Sequence, residues 1–372
     1  MALLAVAGLS ARLMAESAAR DGFEVVALDL FGDVDTCEVA TRWIGIGAPE
    51  SLQIDDDKLL SALAALARGG EAVGWVAGSG FEGRPELLAQ GAALLPLIGC
   101  SAESAARVRD PQQFFAALAQ RDIQHPPVQF DPLADARGWL LKDFGACGAA
   151  HIRPAPVGVP APPRHYFQRL SPGVPMSVTF IANGSEAVLL GINQQIVRRL
   201  DDQPYVFCGV LGPVPVRDDV LRRVNAVVGA LVPAFALRGL ASLDFLLAEG
   251  RHLSVLEINP RPPASLSLYP ARALMAAHVR ACLQAELPTP KAPQRIEGHE
   301  IVFAHRPLHI DEADVQWLSS QPQVHDVPCP GLRIAAGHPV CSVSTHGDSV
   351  AGVMARLRGL CDSLSTSLEK AA

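Results

Sequence analysis

Short apolar runs alternate with stretches of helical periodicity through the first hundred residues. One helical stretch follows Gly8, and another covers residues 59–66. The apolar runs predict strands at 3–7, 23–28, 73–77 and 94–98. Strands that alternate with helices assemble into a parallel sheet with helices packed on its faces. The pattern therefore predicts an α/β class with a Rossmann-like N-terminal domain, whose ligands bind beyond the carboxyl ends of the strands.

The pattern changes near residue 110 and again near residue 290. Asp110-Pro111 begins a predicted helix, and the prolines between 154 and 163 predict an extended loop. Apolar runs on both sides of Asn183-Gly184 predict a β-hairpin. After a second proline-rich break, short apolar runs and one amphipathic stretch predict a small β-rich segment with a final helix. We therefore predict three parts, residues 1–108, 109–290 and 291–372.

Composition narrows the class of protein. Of the 372 residues, 49% are hydrophobic and 19% are charged, so the chain can bury a core and is unlike a disordered one. The net charge of −7 leaves no basic excess for nucleic acid. The eight cysteines form no C-x-x-C pair, which favours reduced thiols in the cytoplasm. No apolar run approaches the ~20 residues of a membrane helix, so we expect no membrane partner.

The most informative segment is a predicted hairpin over residues 239–261. With Gly250-Arg251 as the turn, Asp244 lies opposite Glu257, and alternation puts Asn259 on the same face. The opposite face is predicted to be apolar, with Phe245, Leu256 and Ile258. Two facing carboxylates repel each other unless a cation lies between them. Oxygen ligands of this kind suit Mg²⁺, for which Mn²⁺ can substitute, while an edge hairpin with solvated acids is the alternative.

A second set of residues suits nucleotide phosphates. Lys142 ends an apolar strand and is followed by a loop of small residues with Gly145 and Gly148, and His151 comes just after this loop. A lysine beside mobile backbone amides can hold phosphates. The extended segment that begins at Gln168 can present backbone groups to an adenine edge. The first turn has only one glycine of a dinucleotide fingerprint, at Gly8, which argues against NAD.

In this order, the segments resemble the ATP-grasp superfamily over most of the chain. The resemblance implies an ATP-grasp fold whose N-terminal Rossmann-like part is the pre-ATP-grasp domain, with ATP and Mg²⁺ as cofactors. It implies that Lys142 and the loop around Gly145, Gly148 and His151 cover the phosphates. Gln168 and Arg169 resemble the adenine hinge. Asp244, Glu257 and Asn259 have the spacing of the ligands of two Mg²⁺ ions.

Finer features of the resemblance concern the branch of the superfamily. The run Glu-Ile-Asn-Pro-Arg at 257–261 resembles the biotin carboxylase and carbamoyl phosphate synthase branch, which places Arg261 at the reacting phosphate. The family's paired glycine is Gly148-Ala149 here, and Arg169 replaces a frequent glutamate. Residues 7–12 and 28–36 look most like predicted ATP-dependent carboligases, which are found near pterin and furan C1-carrier cofactor genes in methylotrophs.

The chemistry implied by the resemblance is ligation of a small carboxylate to an amine through an acyl phosphate, with release of ADP and phosphate. Arg261 and Lys142 are the expected catalytic residues. Substrate contacts are expected from strand-end residues of the first domain, namely Ser10, Arg12, Asp29 and Glu82. Two alternatives stay open: a carboxylase that uses bicarbonate, and a non-catalytic ATP-binding module. A homodimer is compatible with the sequence, and no cysteine is needed as a nucleophile.

Overall fold

The structure, a computed structural model, describes residues 2–148, 151–248, 252–269, 273–289 and 295–371. The predicted boundary at 290–291 lies outside these residues. Among the helices that the structure describes, none is both long enough and apolar enough to span a membrane.

The N-terminal part is a four-stranded parallel sheet with helices against it. Its elements are β1 Leu3–Ala7, α1 Arg12–Arg20, β2 Glu24–Asp29, α2 Val34–Val39, β3 Arg42–Gly45, β4 Gly47–Ala48, β5 Gln53–Ile54, α3 Asp56–Gly69, β6 Ala72–Ala77 and α4 Pro85–Leu94. The sheet order is β3-β2-β1-β6. This parallel sheet confirms the predicted α/β class.

The prediction of a strand at 94–98 is wrong. Helix α4 includes Leu94, and only Leu97 forms a bridge, to Trp75. Pro96 has no N–H and cannot extend a ladder, although its carbonyl accepts a hydrogen bond from Trp75 N at 2.9 Å. The sheet is completed instead by β3, which the apolar pattern missed because Arg42 and its neighbour are exposed at the sheet edge.

A short antiparallel sheet follows two helices. These elements are α5 Ala102–Arg109, α6 Pro111–Ala119, β7 Val128–Gln129, β8 Trp139–Asp143, β9 Arg153–Pro154 and β10 His165–Arg169. The sheet order is β7-β10-β8-β9. Asp110 accepts hydrogen bonds from the backbone of Gln112 and Gln113, so it caps α6 as the sequence predicts.

A large antiparallel sheet is the centre of the remaining chain. Its first elements are β11 Val174–Asn183, β12 Ala187–Leu200, β13 Gln203–Gly212, α7 Asp218–Phe235, β14 Arg238–Leu247, β15 Leu253–Asn259, a 3₁₀ helix Ala264–Leu268 and α8 Leu274–Leu283. The predicted hairpin at Asn183-Gly184 is confirmed, with Asn183 N donating to Glu186 O at 3.0 Å. Helix α7 packs its apolar stripe on this sheet.

The C-terminal strands extend the same sheet. The elements are β16 Ile296–Phe303, β17 Leu308–His309, α9 Glu312–Ser319, β18 Val324–His325, β19 Arg333–Ile334, β20 Pro339–Gly347 and α10 Val350–Ala371. Within the described residues the sheet has eight strands in the order β15-β14-β11-β12-β13-β16-β20-β18. Because β16 pairs with β13, the β-rich segment is continuous with the sheet that carries the candidate metal ligands.

One buried histidine joins α8 to both sheets. His278 is 1% exposed, its Nδ1 accepts a hydrogen bond from Leu240 N at 2.8 Å, and its Nε2 lies 2.9 Å from Ile98 O. The backbone donor at Nδ1 requires the neutral ring with the proton on Nε2. Burial therefore lowers the pKa of His278 to about 4.

We predict that this histidine makes the fold sensitive to acid. The unfolded chain takes up a proton near pH 6.5 and the folded chain only near pH 4, so the free energy of unfolding falls as the pH falls between these values. Between pH 7.5 and pH 5 the loss from His278 is about 2 kcal/mol. His278→Gln, which keeps an acceptor and a donor, is expected to flatten this dependence in urea unfolding. The exposed His305→Gln is the control; an equal slope in His278→Gln and the unchanged protein contradicts the assignment.

Candidate active site

The facing carboxylates predicted from the sequence are present. Asp244 on β14 pairs directly with Glu257 on β15, and Ser242 pairs with Asn259. The prediction that Leu256 shares the buried apolar face with Phe245 is wrong. A register shift after Asp244 makes Phe245 face Val255, which is fully buried, while Leu256 is only half-buried.

The register of β14 against β15 changes at the bulge between the turn and Asp244. The last described pair before the turn is Leu247 with Leu253, and residues 249–251, including the predicted turn residues, lie outside the described part of the chain. The pairing on the turn side is therefore one residue out of the predicted register. The bulge removes this offset, so that Asp244 still faces Glu257.

The geometry of these side chains fits a divalent cation. Asn259 Nδ2 donates to Asp244 Oδ2 at 3.2 Å, whereas Asp244 Oδ1 is buried and accepts no hydrogen bond from the residues that the structure describes. A buried carboxylate oxygen without a donor is costly unless a ligand satisfies it. Two carboxylates and an amide oxygen are hard donors, the set that Mg²⁺ prefers. Asp244, Glu257 and Asn259 are therefore suited to hold Mg²⁺.

The two carboxylates have different electrostatic surroundings. Burial, followed by the charge of Glu257, raises the pKa of Asp244 above its ordinary value. Burial also acts to raise the pKa of Glu257, but the positive charges of Arg109 and Lys142 outweigh it and lower that pKa. Glu257 is therefore the ionised member of the pair, and Asp244 is the member whose charge needs a further cation.

Arg109, the last residue of α5, is a site residue that the sequence analysis missed. Its Nη1 donates to Glu257 Oε2 at 3.2 Å and lies 3.5 Å from Asn259 Oδ1. Its Nη2 donates to Phe144 O at 2.7 Å and to Ala146 O at 3.3 Å. The guanidinium thus joins the candidate metal ligands to the loop after Lys142. The only signal in the sequence was an arginine at a helix end, which is usually a surface residue.

Lys142 and Gln168 meet on neighbouring strands of the short sheet. Lys142 Nζ donates to Gln168 Oε1 at 3.2 Å and lies 5.8 Å from the centre of the Tyr166 ring. Burial acts to lower the pKa of Lys142, but Tyr166 and Glu257 outweigh it and raise that pKa, so the ammonium stays charged. Gln168 Nε2 is buried and has no partner among the described residues. A free amide donor beside a buried ammonium suits the polar groups of a nucleotide.

The other hinge residue does not face this site. The Arg169 side chain is exposed: its Nη1 donates to Arg137 O at 2.9 Å and its guanidinium lies 5.7 Å from the centre of the Trp139 ring. The Arg169 side chain therefore points away from this site, and the predicted contact of the hinge with adenine through backbone groups stays a prediction. Residues alternate sides along a strand, so Gln168 and Arg169 must point in opposite directions.

The predicted phosphate loop lies along one wall of the site. Gly145 N donates to Asp143 Oδ1 at 2.8 Å, and a Cβ on Gly145 would collide with the guanidinium of Arg164. Gly148 has φ +73°, and its carbonyl accepts a hydrogen bond from Phe207 N at 3.0 Å. His151 faces the same cavity with a buried Nδ1 that has no partner in the described chain. Ala149, the departure from the paired glycine, lies outside the described residues.

Arg261 is held by one of the predicted substrate residues. Its Nε donates to Glu82 Oε1 at 2.7 Å, and Glu82 Oε2 accepts a hydrogen bond from Gly80 N at 2.7 Å. The Glu82 carboxylate is thereby occupied by protein donors. Glu82 therefore positions Arg261, and the prediction that it contacts substrate is replaced by this role.

The remaining predicted substrate residues belong to a buried network. Arg12 is 1% exposed and donates to both oxygens of Asp326, at 2.7 Å and 3.1 Å, and Ser10 Oγ lies 3.5 Å from the same carboxylate. Asp29 accepts hydrogen bonds from the backbone of residues 11, 31 and 32 and from Trp43 Nε1. Asp29 is fully buried and protein donors occupy both of its oxygens, so the structure contradicts the prediction that Asp29 contacts substrate.

Comparison with known proteins defines the class of this site. Residues 108–265 match the family model of the ATP-grasp domain. The chain is similar in structure to biotin carboxylase from Campylobacter jejuni, with TM-score 0.70 and 14% identity over 95% of this chain and 89% of that one. The L-amino acid ligase of Bacillus licheniformis has TM-score 0.70 and 15% identity over 97% of both chains.

A third similar structure contains nucleotide. It is the biotin carboxylase domain dimer of Hydrogenobacter thermophilus 2-oxoglutarate carboxylase with MgADP, ADP and bicarbonate, with TM-score 0.71 and 11% identity over 96% of this chain and 88% of that one. No match was found among curated proteins. Residues 108–265 thus match an ATP-grasp domain, and the predicted ATP-grasp fold is confirmed.

We predict that Arg109 compensates the negative charge of Glu257 when no metal ion is bound. Arg109→Met leaves the Glu257 carboxylate without its guanidinium partner, and because the Glu257 side chain is 34% exposed, solvent screening limits the expected loss to about 1 kcal/mol. Added Mg²⁺ is expected to restore part of this loss, because a cation at Glu257 replaces the missing charge. Urea unfolding with and without Mg²⁺ measures both effects. Arg121→Met, which removes an exposed arginine, is the control, and equal stabilisation by Mg²⁺ in all three proteins contradicts the prediction.

Proposed function

We propose that the protein is an ATP-dependent carboxylate-amine ligase that acts through an acyl phosphate. The proposal is carried by one observation, the convergence of oxygen ligands and cations on a single cavity of about 150 Å³. This cavity is lined by Asp244, Glu257 and Asn259 on one side and by Lys142 and Arg261 on another. A site that combines metal ligands with fixed positive charges suits phosphoryl transfer, because that reaction depends on charge neutralisation.

Each residue has a distinct role in this proposal. Mg²⁺ held by Asp244, Glu257 and Asn259 would neutralise phosphate charge. Lys142 holds the phosphates, and Arg261 faces the group that is transferred. A substrate carboxylate oxygen bonds to the γ-phosphorus as ADP leaves, and an amine nitrogen then bonds to the acyl carbon as phosphate leaves.

The chain does not need to supply a nucleophile for this reaction. Cys147 lines the site, but burial and then the charge of Glu82 raise the pKa of its thiol to about 11. A thiol with this pKa is protonated at neutral pH and is a poor nucleophile. Cys147 is therefore interpreted as a small residue of the phosphate loop.

The cavity beside Arg261 favours organic substrates over bicarbonate. It has a volume of about 330 Å³ and is lined by apolar side chains such as Phe31, Phe207 and Ile301. Bicarbonate has only four heavy atoms and no apolar surface, so it would leave these walls uncovered. Biotin carboxylases share the fold, and carboxylation is accordingly an outcome that the experiment below distinguishes.

The finer predictions have narrower support. Biosynthesis of a pterin or furan C1-carrier cofactor is proposed on the resemblance of residues 7–12 and 28–36 alone. Three further proposals rest on the amino-acid sequence alone. They are a division into residues 1–108, 109–290 and 291–372, a homodimer, and a cytoplasmic location. One structural neighbour is a dimer, which agrees with the proposed homodimer.

We predict that Glu257→Gln lowers ADP formation by about a hundredfold or more, because a neutral amide binds Mg²⁺ weakly and supplies no charge. ADP release is measured over a panel of carboxylic acids and amines, with bicarbonate as a separate arm and hydroxylamine to trap an acyl phosphate as a hydroxamate. Asp202→Asn, at an exposed turn, is the control.

The outcomes separate the candidate functions. ADP release that requires one acid, with a trapped hydroxamate that is lost in Glu257→Gln, supports the ligase. If ADP release requires only bicarbonate, the protein is a carboxylase instead. Binding of MgADP without release in any arm favours the non-catalytic module, and full activity of Glu257→Gln rejects the proposed metal site.

A further inference from the structure

A second cavity lies between the N-terminal sheet and the C-terminal strands. It has a volume of about 330 Å³ and extends from Arg261 and the phosphate loop to the loop after β2. Three distant parts of the chain line it, including Phe31 and Asp33 from the first domain and Val340 from β20. Arg261 lines this cavity and also the cavity of the candidate metal ligands. A molecule bound here therefore lies next to the candidate site of phosphoryl transfer.

Most polar groups of this cavity already have partners. Arg12 donates to Asp326 through two nitrogens and to Glu16 Oε1 at 3.0 Å. Ser342 Oγ donates to Asp326 and lies 2.9 Å from His299 Nε2. These groups satisfy one another, so they are structural and are not free to bind a ligand.

Asp33 is different from the rest of the network. Its side chain lines the cavity, the residue is only 5% exposed, and its carboxylate accepts no hydrogen bond from any described residue. The loop that carries it is held firmly, because Asp29 accepts hydrogen bonds from Phe31 N at 3.1 Å and Gly32 N at 3.0 Å. A buried carboxylate held in place without a donor is the group that a cationic ligand satisfies.

The charges around Asp33 also favour a cationic ligand. Burial, and then the negative charges of Asp326, Asp29 and Asp35, raise the pKa of Asp33 well above its ordinary value, and Arg12 opposes this only in part. Around Asp33 the carboxylates thus outnumber the guanidinium. An added positive charge is favourable here, and an added negative charge is not.

The apolar walls define the remainder of the ligand. Met14, Phe31, Phe207, Ile301 and Val340 line the cavity between the acidic end and Arg261. Side chains of this kind suit an aromatic or branched aliphatic group, because burial of apolar surface is favourable.

We propose that this cavity binds a substrate that carries an ammonium group on an apolar body, with the ammonium paired to Asp33. The inference rests on the proposed ligase function and names its substrate class. The ammonium belongs either to the amine substrate or to an acid that also carries an amino group. The two sources share the same contact with Asp33.

The test compares matched probes on the full chain by isothermal titration calorimetry in the presence of MgADP. Phenethylamine has the ammonium and the apolar body, phenylalanine adds a carboxylate, and 2-phenylethanol and 3-phenylpropanoate lack the ammonium. We expect binding of at least one ammonium probe, about tenfold or more tighter than its counterpart without nitrogen. The stronger of the two ammonium probes identifies the source of the charge.

Asp33→Asn is the decisive variant because it keeps the shape and removes the charge. We expect it to lose about tenfold in affinity for the ammonium probe while MgADP binding is unchanged. Urea unfolding of Asp33→Asn is expected to show equal or greater stability than the unchanged protein, because an uncompensated buried carboxylate is removed. Asp202→Asn is again the control.

Two results overturn the inference. One is equal binding of the probes with and without nitrogen, or no binding of either, in a protein that binds MgADP. The other is unchanged affinity for the ammonium probe in Asp33→Asn. Failure of the unchanged protein to bind MgADP counts against the proposed function instead, and ammonium binding that depends on Asp33 still supports the cavity assignment in that case.

Discussion

The pairing of Asp244 with Glu257 across two antiparallel strands is the constraint on which the site depends. Two facing carboxylates that are partly withdrawn from water repel each other unless positive charge is brought to them. The fold supplies that charge from separate parts of the chain, with Arg109 from α5 and Lys142 from β8. The short sheet and α5 must therefore pack against β15, and this packing closes the cavity in which the charges meet.

The same reasoning distinguishes the second cavity from the first. In the first, several cations surround the carboxylates, and Asp244 Oδ1 has no donor among the described residues. In the second, Arg12 is shared among carboxylates, and the Asp33 carboxylate accepts no hydrogen bond from the part of the chain that the structure describes. Each cavity thus lacks positive charge at one defined carboxylate. The two cavities both border Arg261, so a cation in one and a cationic substrate in the other would lie on either side of the reacting group.

Much of the local structure follows from patterns of a few residues. Alternation along β14 and β15 places Asp244 and Glu257 on one face, and the turn residues at Asn183-Gly184 predict the hairpin of β11 and β12. The errors arose where a longer-range contact decided the outcome. Leu256 looked like an apolar-face residue, but the bulge gives that place to Val255, and the apolar run at 94–98 contains a proline that ends the ladder.

The class of the fold, the candidate metal ligands and the candidate cations Lys142 and Arg261 could be predicted from the amino-acid sequence, because all of these depend on spacing within one or two neighbouring elements. Which distant residues complete the site depends on how the elements pack together in three dimensions. Arg109 reaches Glu257, and Asp326 reaches Arg12, across more than a hundred positions of sequence. Periodicity assigns a residue to a face of its own strand or helix, whereas the order of strands in the sheet decides which faces meet.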